Sequence, residues 1–284
     1  MMEVTFWGVR GSIPSPGPST VRYGGNTPCV SVHLDSGELI ILDCGTGARN
    51  LGISLLGGAF GRGQGTAAML LSHAHWDHIQ GFPFFGPFYV PGNKFTVYGG
   101  SRSSRLLEKL LERQMEAQFF PVQSFRNMGA AIQMRAIPEG RAVAVGAARV
   151  RAMANPHSGS AVMAFRIEAD GKSLVYASDA GYGPEGPSEA AIELYRDVDV
   201  LIHDSTFTPE DRARRLDRGL SSLDEAVDCA IRARAKRLVL FHYDQDYSDH
   251  DVDQLLARGR RLLDEGSCPQ IQITGAAEGL TLTL

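Results

Sequence analysis

The sequence predicts an α/β fold in which two β-sheets pack face to face and carry helices on their outer surfaces. The chain has 284 residues, of which 43% are hydrophobic and 21% charged, a composition typical of a folded globular protein. Two β-rich stretches are each followed by helical patterns. No linker, low-complexity segment or short-period repeat interrupts them, so we expect residues 1–284 to form one domain.

The first third of the chain contains strands separated by glycine-rich turns. Apolar patterns predict strands at Glu3 to Gly8, Cys29 to Leu34, Glu38 to Asp43 and Ala67 to Leu71. Helices are predicted at Gly45 to Leu56 and Ser101 to Glu116, the second from leucines at helical spacing.

The second half of the chain changes from strands to alternating strands and helices. Residues 132–177 read mostly as strands, with Asp170-Gly171 as a hairpin turn. Strands and helices then alternate at Val198 to Ile202, Ser221 to Arg234, Arg237 to Phe241 and Val252 to Asp264. Ser222 and Glu225 form a capping-box signature for the first of these helices.

Charge and composition narrow the class of partner. The 28 basic and 32 acidic residues give a formal net charge of −4, which disfavours broad nucleic-acid binding. The longest apolar run spans about five residues, far fewer than the roughly 20 of a membrane helix, so we expect no membrane partner. Four cysteines are scattered without metal or redox spacing, which favours reduced thiols in the cytoplasm.

Four metal-binding side chains follow the predicted strand Ala67 to Leu71. His73, His75, Asp77 and His78 lie within six residues, and they include three of the eight histidines. In extended backbone, residues two apart point to the same side, so His73 and His75 can bind one ion together. Asp77 and His78 would face a second ion. Imidazole and carboxylate groups suit zinc, and also manganese or iron.

The pattern His73-x-His75-x-Asp77-His78 resembles the signature of the metallo-β-lactamase superfamily. Four further segments resemble its ribonuclease Z-like and cyclic-nucleotide phosphodiesterase-like branch: Phe6 to Pro14, Arg22 to Thr27, Leu42 to Gly47 and Ile202 to Thr206. The resemblance implies a four-layer αββα metallo-β-lactamase sandwich, in which helices flank two mixed β-sheets and the metal site lies at the sheet edge.

The resemblance also implies the remaining metal ligands. His157 corresponds to a histidine that follows the central strands, Asp179 to a carboxylate that bridges the metals, and His242 to a histidine that ends a late strand. A bridging anion is chemically reasonable because it offsets the repulsion between two nearby cations. We therefore expect two divalent metal ions, with zinc favoured, bound by His73, His75, Asp77, His78, His157, Asp179 and His242.

Other residues are expected to support the site or contact substrate. Asp43 would orient a ligand histidine or the nearby loop, and His203 and Asp204 match a His-acid pair that the family places beside the site. Asp77 is the expected proton acceptor in catalysis. Arg10 and Arg22, in glycine-rich loops, are candidate contacts for substrate phosphate, although a structural role fits them equally well.

One departure from the family affects catalysis. Ribonuclease Z-like relatives commonly have a proton-donating histidine where this chain has Leu220, and leucine cannot donate a proton. Either the leaving group needs no proton, or another residue such as Tyr182 or Tyr243 supplies one, or the substrate is not a nucleotide.

The expected function is hydrolysis of small phosphodiesters, such as cyclic nucleotides, by a hydroxide that bridges two metal ions. The alternatives are a metallohydrolase of lactones, thioesters or β-lactams, ribonuclease Z-like RNA processing, and a metal-binding module of low activity. No long basic arm is present and residues 102–126 mix both charges, which argues against transfer RNA as a partner. The resemblance also suggests a homodimer.

Overall fold

The computed structural model describes residues 1–100, 104–122, 124, 127–158, 160–183, 185–215 and 218–284. It contains two mixed seven-stranded sheets flanked by helices, which confirms the predicted fold class. The strands are β1 (Met2–Gly8), β2 (Cys29–Leu34), β3 (Leu39–Leu42), β4 (Thr66–Leu70), β5 (Lys94–Gly99), β6 (Ala131–Ala136), β7 (Ala142–Val145), β8 (Ala148–His157), β9 (Ser160–Ala169), β10 (Lys172–Ala177), β11 (Val200–Asp204), β12 (Arg237–Phe241), β13 (Gln272–Gly275) and β14 (Thr281–Thr283).

The helices are short except for the last. They are α1 (Gly47–Leu56), α2 (Trp76–Ile79), α3 (Ser104–Arg113), α4 (Glu189–Tyr195), α5 (Pro209–Ala213), α6 (Leu223–Ala233) and α7 (Asp249–Glu265). The predicted capping box begins α6: the Ser222 hydroxyl accepts from the Glu225 N–H, and the Glu225 carboxylate accepts from the Ser222 N–H. Two N–H groups that lack a partner inside the helix are satisfied in this way, which explains why α6 starts there.

The two sheets have related strand orders. The first runs β14-β1-β2-β3-β4-β5-β6 and the second β13-β12-β11-β10-β9-β8-β7. Strands β3 to β6 are parallel in the first sheet, and β10 to β13 are parallel in the second. The carboxyl ends of parallel strands share an edge, so the loops that follow them can converge on a site.

The main core lies between the sheets. Phe6 of β1 and Tyr176 of β10 both pack against Phe241 of β12, with ring centroids 6.2 and 5.6 Å apart. A second apolar cluster, which includes the buried rings of Phe82 and Phe95, lies between the first sheet and α1. Helices α4, α6 and α7 cover the second sheet. Within the described residues, no helix combines the length and apolar character needed to cross a bilayer.

Some elements differ from the sequence prediction. Helix α3 is shorter than the predicted Ser101 to Glu116, and residues 101–103 of that prediction lie outside the described residues. Arg102 and Arg126, which bound the mixed-charge segment, also lie outside them. Strands β5, β13 and β14 and helices α2, α4 and α5 were not predicted. Strand β14 pairs antiparallel with β1, so the last strand of the chain completes the first sheet.

Candidate metal centre

All seven residues predicted to bind metal meet at one edge of the sandwich. They form two groups in which the potential ligand atoms lie within 4.8 Å of one another. The first group is His73, His75, His157 and Asp179, and the second is Asp77, His78, Asp179 and His242. Asp179 belongs to both groups. The loops that follow β4, β10 and β12, together with the last residue of β8, bring these side chains together.

The two carboxylate oxygens of Asp179 face different groups. Its Oδ2 lies 3.7 Å from His73 Nε2 and 3.8 Å from His157 Nε2. Its Oδ1 lies 3.3 Å from His78 Nε2 and 3.2 Å from His242 Nε2. This is the arrangement expected of a carboxylate that links two cations.

The spacing of the ligand atoms fits metal ions. A tetrahedral zinc site with bonds of about 2.0–2.1 Å separates its ligand atoms by about 3.3 Å. His75 Nδ1 lies 3.1 Å from His157 Nε2, and Asp77 Oδ2 lies 3.4 Å from His78 Nε2. The buried Nε2 atoms of His73 and His78 have no hydrogen-bond partner among the described residues. A cation would satisfy both nitrogens, so the donor set fits divalent metal ions.

Electrostatics at the centre also favour cations. Burial opposes ionisation of Asp179, but the His242 and His78 rings outweigh it and hold its pKa well below the ordinary value. Burial likewise opposes protonation of His78, but Asp179 and Asp77 raise its pKa. The carboxylates thus favour positive charge at His78, whereas burial lowers the pKa of His73. Metal binding would displace a proton from the His78 ring, as is general for histidine ligands.

Asp43 supports the second group from behind. It is fully buried, and its carboxylate accepts hydrogen bonds from the Ser72 N–H (2.7 Å), the Ser72 hydroxyl (2.8 Å) and the Tyr176 hydroxyl (2.7 Å). It also lies 2.8 Å from His78 Nδ1, which leaves Nε2 of that ring facing the metal groups. Such contacts fix the orientation of a ligand ring.

We expect the substitution Asp43→Ala to destabilise the protein by about 3 kcal/mol, because several buried donors lose their acceptor. Urea unfolding followed by circular dichroism measures the change. Asp228→Ala, which removes a carboxylate that is 53% exposed, is the matched control and should change stability little. A loss at Asp43 no larger than that of the control would contradict this role.

The loop after β1 packs directly against the second group. The Ser12 N–H donates to Asp77 Oδ2 at 2.7 Å. Gly11 lies so close to His242 that a Cβ added at Gly11 would be 2.4 Å from the Cε1 atom of that ring. Only glycine fits this position without moving the ring.

The substitution Gly11→Ala should therefore displace His242 and weaken metal binding about 10- to 100-fold, the range seen when the support of a ligand is disturbed. Competition with a chelator of known affinity measures the change. Gly17→Ala serves as the control, because a Cβ at Gly17 meets no atom within 4 Å. Equal metal affinity in the two variants would show that His242 tolerates the added methyl group.

His203 and Asp204 are buried neighbours beside the centre, with His203 Nδ1 3.4 Å from Asp204 Oδ1. The Asp204 carboxylate accepts from the backbone N–H groups of Ala180 (3.1 Å) and Ser221 (2.8 Å), so it holds the residue that follows Asp179. Burial and the charge of Asp179 raise the pKa of Asp204 to about 8. His203 faces away, with Nε2 2.9 Å from the Tyr182 hydroxyl, and burial lowers its pKa to about 4.

The expectation that Arg10 contacts substrate phosphate is not supported. Arg10 is completely buried, and its guanidinium donates to the backbone carbonyls of Gly24, Asp244 and Tyr247. These bonds join the N-terminal loops to the segment after β12, so its role is structural.

Arg22 is also engaged by protein groups. It is exposed, and its guanidinium donates to the Asp253 carboxylate at 2.5 Å and to the Asp249 carbonyl at 3.0 Å. These contacts tie the loop that carries Arg22 to the start of α7.

The segment that contains Leu220 does reach the centre. The carbonyl of Gly219 lies 2.8 Å from His157 Nδ1, and Leu220 itself is 5% exposed. The hydroxyl groups of the two tyrosines considered as replacement proton donors are both hydrogen-bonded to other protein groups. Tyr243 donates to the carbonyls of Leu240 and Ala276, and the buried Tyr182 bonds to His203.

The sequence prediction did not include two contacts made by backbone atoms. The Ser12 N–H holds Asp77, and the Gly219 carbonyl contacts the His157 ring. Backbone groups leave no side-chain signal. In the sequence, the only indication of these contacts was a glycine at or next to each of them: Gly11 precedes Ser12, and Gly219 itself has a left-handed backbone (φ 59°). Glycine often occurs where the backbone approaches another group closely or adopts an unusual conformation.

Similarity to known proteins supports the same assignment. Residues 39–243 match the family model of the β-lactamase superfamily domain, which spans most of the chain. The chain therefore belongs to the metallo-β-lactamase superfamily, as its motifs predicted.

Within the superfamily, the chain is similar to ribonuclease Z of Natronomonas pharaonis, with 26% identity over 291 residues that cover 87% of this chain and 88% of that protein. This likeness supports the predicted ribonuclease Z-like branch. Two solved structures share the fold: YhfI from Bacillus subtilis (TM-score 0.72, 18% identity, covering 99% and 98% of the two chains) and yeast PDE1 (TM-score 0.73, 14% identity, 100% and 99%).

Proposed function

We propose that this protein hydrolyses small phosphodiesters, cyclic nucleotides among them, with two divalent metal ions, preferably zinc. The observation that carries the proposal is the position of Asp179, whose two oxygens face two separate ligand groups. Similarity to ribonuclease Z, an enzyme class named for cleaving RNA, supports phosphodiester chemistry over lactone, thioester or β-lactam hydrolysis. The four free cysteines are consistent with our proposal that it acts in the cytoplasm.

Residues of the two groups would bind the metal ions and accept the proton. His73, His75 and His157 would hold one ion, Asp77, His78 and His242 the other, and Asp179 would bridge them. When bound, two such ions acidify a water molecule and neutralise charge on the phosphoryl oxygens. Asp77 would accept a proton from the attacking water. Although burial opposes its ionisation, the His78 ring lowers the pKa of Asp77, so its carboxylate is ionised at neutral pH.

The surroundings of Leu220 suggest which substrates react fastest. Leu220 cannot donate a proton, and Tyr182 and Tyr243 are bonded elsewhere. We therefore propose a preference for leaving groups that depart as stable anions. A general acid typically contributes on the order of 10²–10⁴ in rate, which sets the expected disadvantage of alkoxide leaving groups.

The ribonuclease Z relatives favour a second candidate, cleavage of RNA. Similarity to these relatives extends over most of the chain, which supports it. The net charge of −4 favours small substrates instead, because a long nucleic acid needs many phosphates neutralised.

A substrate panel tests these proposals. The protein is stripped of metal with a chelator and reloaded separately with Zn²⁺, Mn²⁺ or Fe²⁺. It is then assayed on bis-(p-nitrophenyl) phosphate, cyclic nucleotides, a precursor transfer RNA, a lactone and a thioester. Metal-dependent turnover of the small diesters supports the main proposal, and rapid cleavage of only the precursor RNA supports the second. Turnover of only the lactone or thioester would overturn both.

A further inference from the structure

Trp76 is exposed beside the metal centre. It is the first residue of α2, and 77% of its surface is accessible to solvent. In the described part of the chain, no aromatic ring or cation stacks on its indole. The other tryptophan, Trp7, is partly buried and donates its indole N–H to the Ser31 hydroxyl at 2.9 Å. Exposed rings occur elsewhere in this chain, at Phe84 for example, so the significance of Trp76 lies in its position next to the ligand residues.

The chain places this indole at the rim of the site. Its neighbours in sequence are His75 and Asp77, one from each ligand group, and consecutive Cα atoms lie about 3.8 Å apart. Ile13, which is 57% exposed, follows Ser12, whose N–H donates to Asp77. Two exposed apolar side chains therefore border the groups that would bind metal and phosphate.

We propose that Trp76 stacks against a planar aromatic group of the substrate, such as a nucleobase, while the phosphate lies at the metal centre. This inference rests on the proposed function and narrows it to phosphodiesters that carry such a group. Trp76 lies between two ligand residues in the chain, and stacking needs only an open ring face, which the exposed indole provides. Stacking would give selectivity for nucleotides in a chain whose net charge is −4, because it does not depend on basic residues.

Fluorescence tests the contact directly, without requiring turnover. Trp7→Phe leaves Trp76 as the only tryptophan, and Trp7 lies outside the proposed site. We expect adenosine 5′-monophosphate to quench this variant when it is loaded with Zn²⁺. Ribose 5-phosphate, which has the same sugar phosphate without the base, should not quench it. In Trp76→Phe, neither compound should change the emission. No quenching of Trp7→Phe by the nucleotide at saturation would overturn the proposal.

Inhibition of bis-(p-nitrophenyl) phosphate hydrolysis then separates stacking from a structural role. The wild-type protein should bind adenosine 5′-monophosphate about tenfold more tightly than ribose 5-phosphate. Trp76→Ala should abolish this ratio, and Trp76→Phe should restore part of it. If Trp76 only stabilised the loop, both inhibitors would weaken equally and the ratio would persist, which would contradict the proposal.

Two further outcomes keep the proposals distinct. If no diester is hydrolysed but the nucleotide still quenches Trp76, the stacking site stands and the proposed reaction fails. If a second copy of the chain covers the indole, dilution alone will change its fluorescence and Trp76→Ala will dissociate a dimer in gel filtration. That result would assign the exposed ring to self-association and overturn its role in substrate binding.

Discussion

The substitution Asp179→Asn is expected to reduce kcat/KM for bis-(p-nitrophenyl) phosphate by a factor on the order of 10³, because metal catalysis supplies several kcal/mol. Among the residues that the structure describes, the Asp179 carboxylate alone belongs to both sets of ligands. Asparagine removes its charge but tolerates the left-handed backbone at this position, where φ is 58°. The metal content should fall from two ions per chain to one.

Elemental analysis after gel filtration gives the metal content of this variant, and initial rates give its activity. Circular dichroism checks that the fold is retained. Asp228→Asn, at an exposed helix position, is the control and should keep both ions and full activity. A variant Asp179→Asn that still binds two ions and turns over normally would disprove the bridging role.

The substitution Leu220→His is expected to increase activity in a substrate-dependent way. A proton donor at this position should raise the rate on cyclic nucleotides by on the order of 10²–10⁴, because their leaving group is a poor anion. The rate on bis-(p-nitrophenyl) phosphate should change little, since nitrophenolate leaves without a proton. Leu220 is adjacent to Gly219, whose carbonyl contacts the His157 ring, so the new side chain starts close to the site.

Leu220→Gln is the control for this experiment, because glutamine is polar but does not donate a proton as an acid. Thermal unfolding establishes first that both variants fold. An equal gain in both would point to polarity and not to acid catalysis. Unchanged rates in a folded Leu220→His variant would mean that position 220 does not meet the leaving group.

The local part of the site could be predicted from sequence. Side chains clustered within six residues of one strand end must lie near one another whatever the rest of the fold does, as His73 and His78 show. His157, Asp179 and His242 are distant along the chain, and only the family resemblance placed them in the site. The fold class was likewise predictable, since it follows from the order of strands and helices.

Other features depended on tertiary contacts that no local pattern encodes. Arg10 was a candidate for binding phosphate, but carbonyls from two distant segments converge on its guanidinium. Strand β14 has only three residues and forms because β1 offers a free edge. The exposure of Trp76 also depends on tertiary structure, because tryptophan in a short helix is compatible with either burial or exposure.

Three residues that follow strands have a left-handed backbone, which lowers the stability of the folded protein. Asp43, Asp179 and His242 have φ values of 57°, 58° and 58°, a conformation that costs residues other than glycine on the order of 1 kcal/mol each. At His242, glycine or asparagine would relax the main chain and discard the imidazole. Directed evolution that rewards heat resistance alone would therefore tend to erase this histidine, and any thermostabilised descendant should be screened with that position held constant.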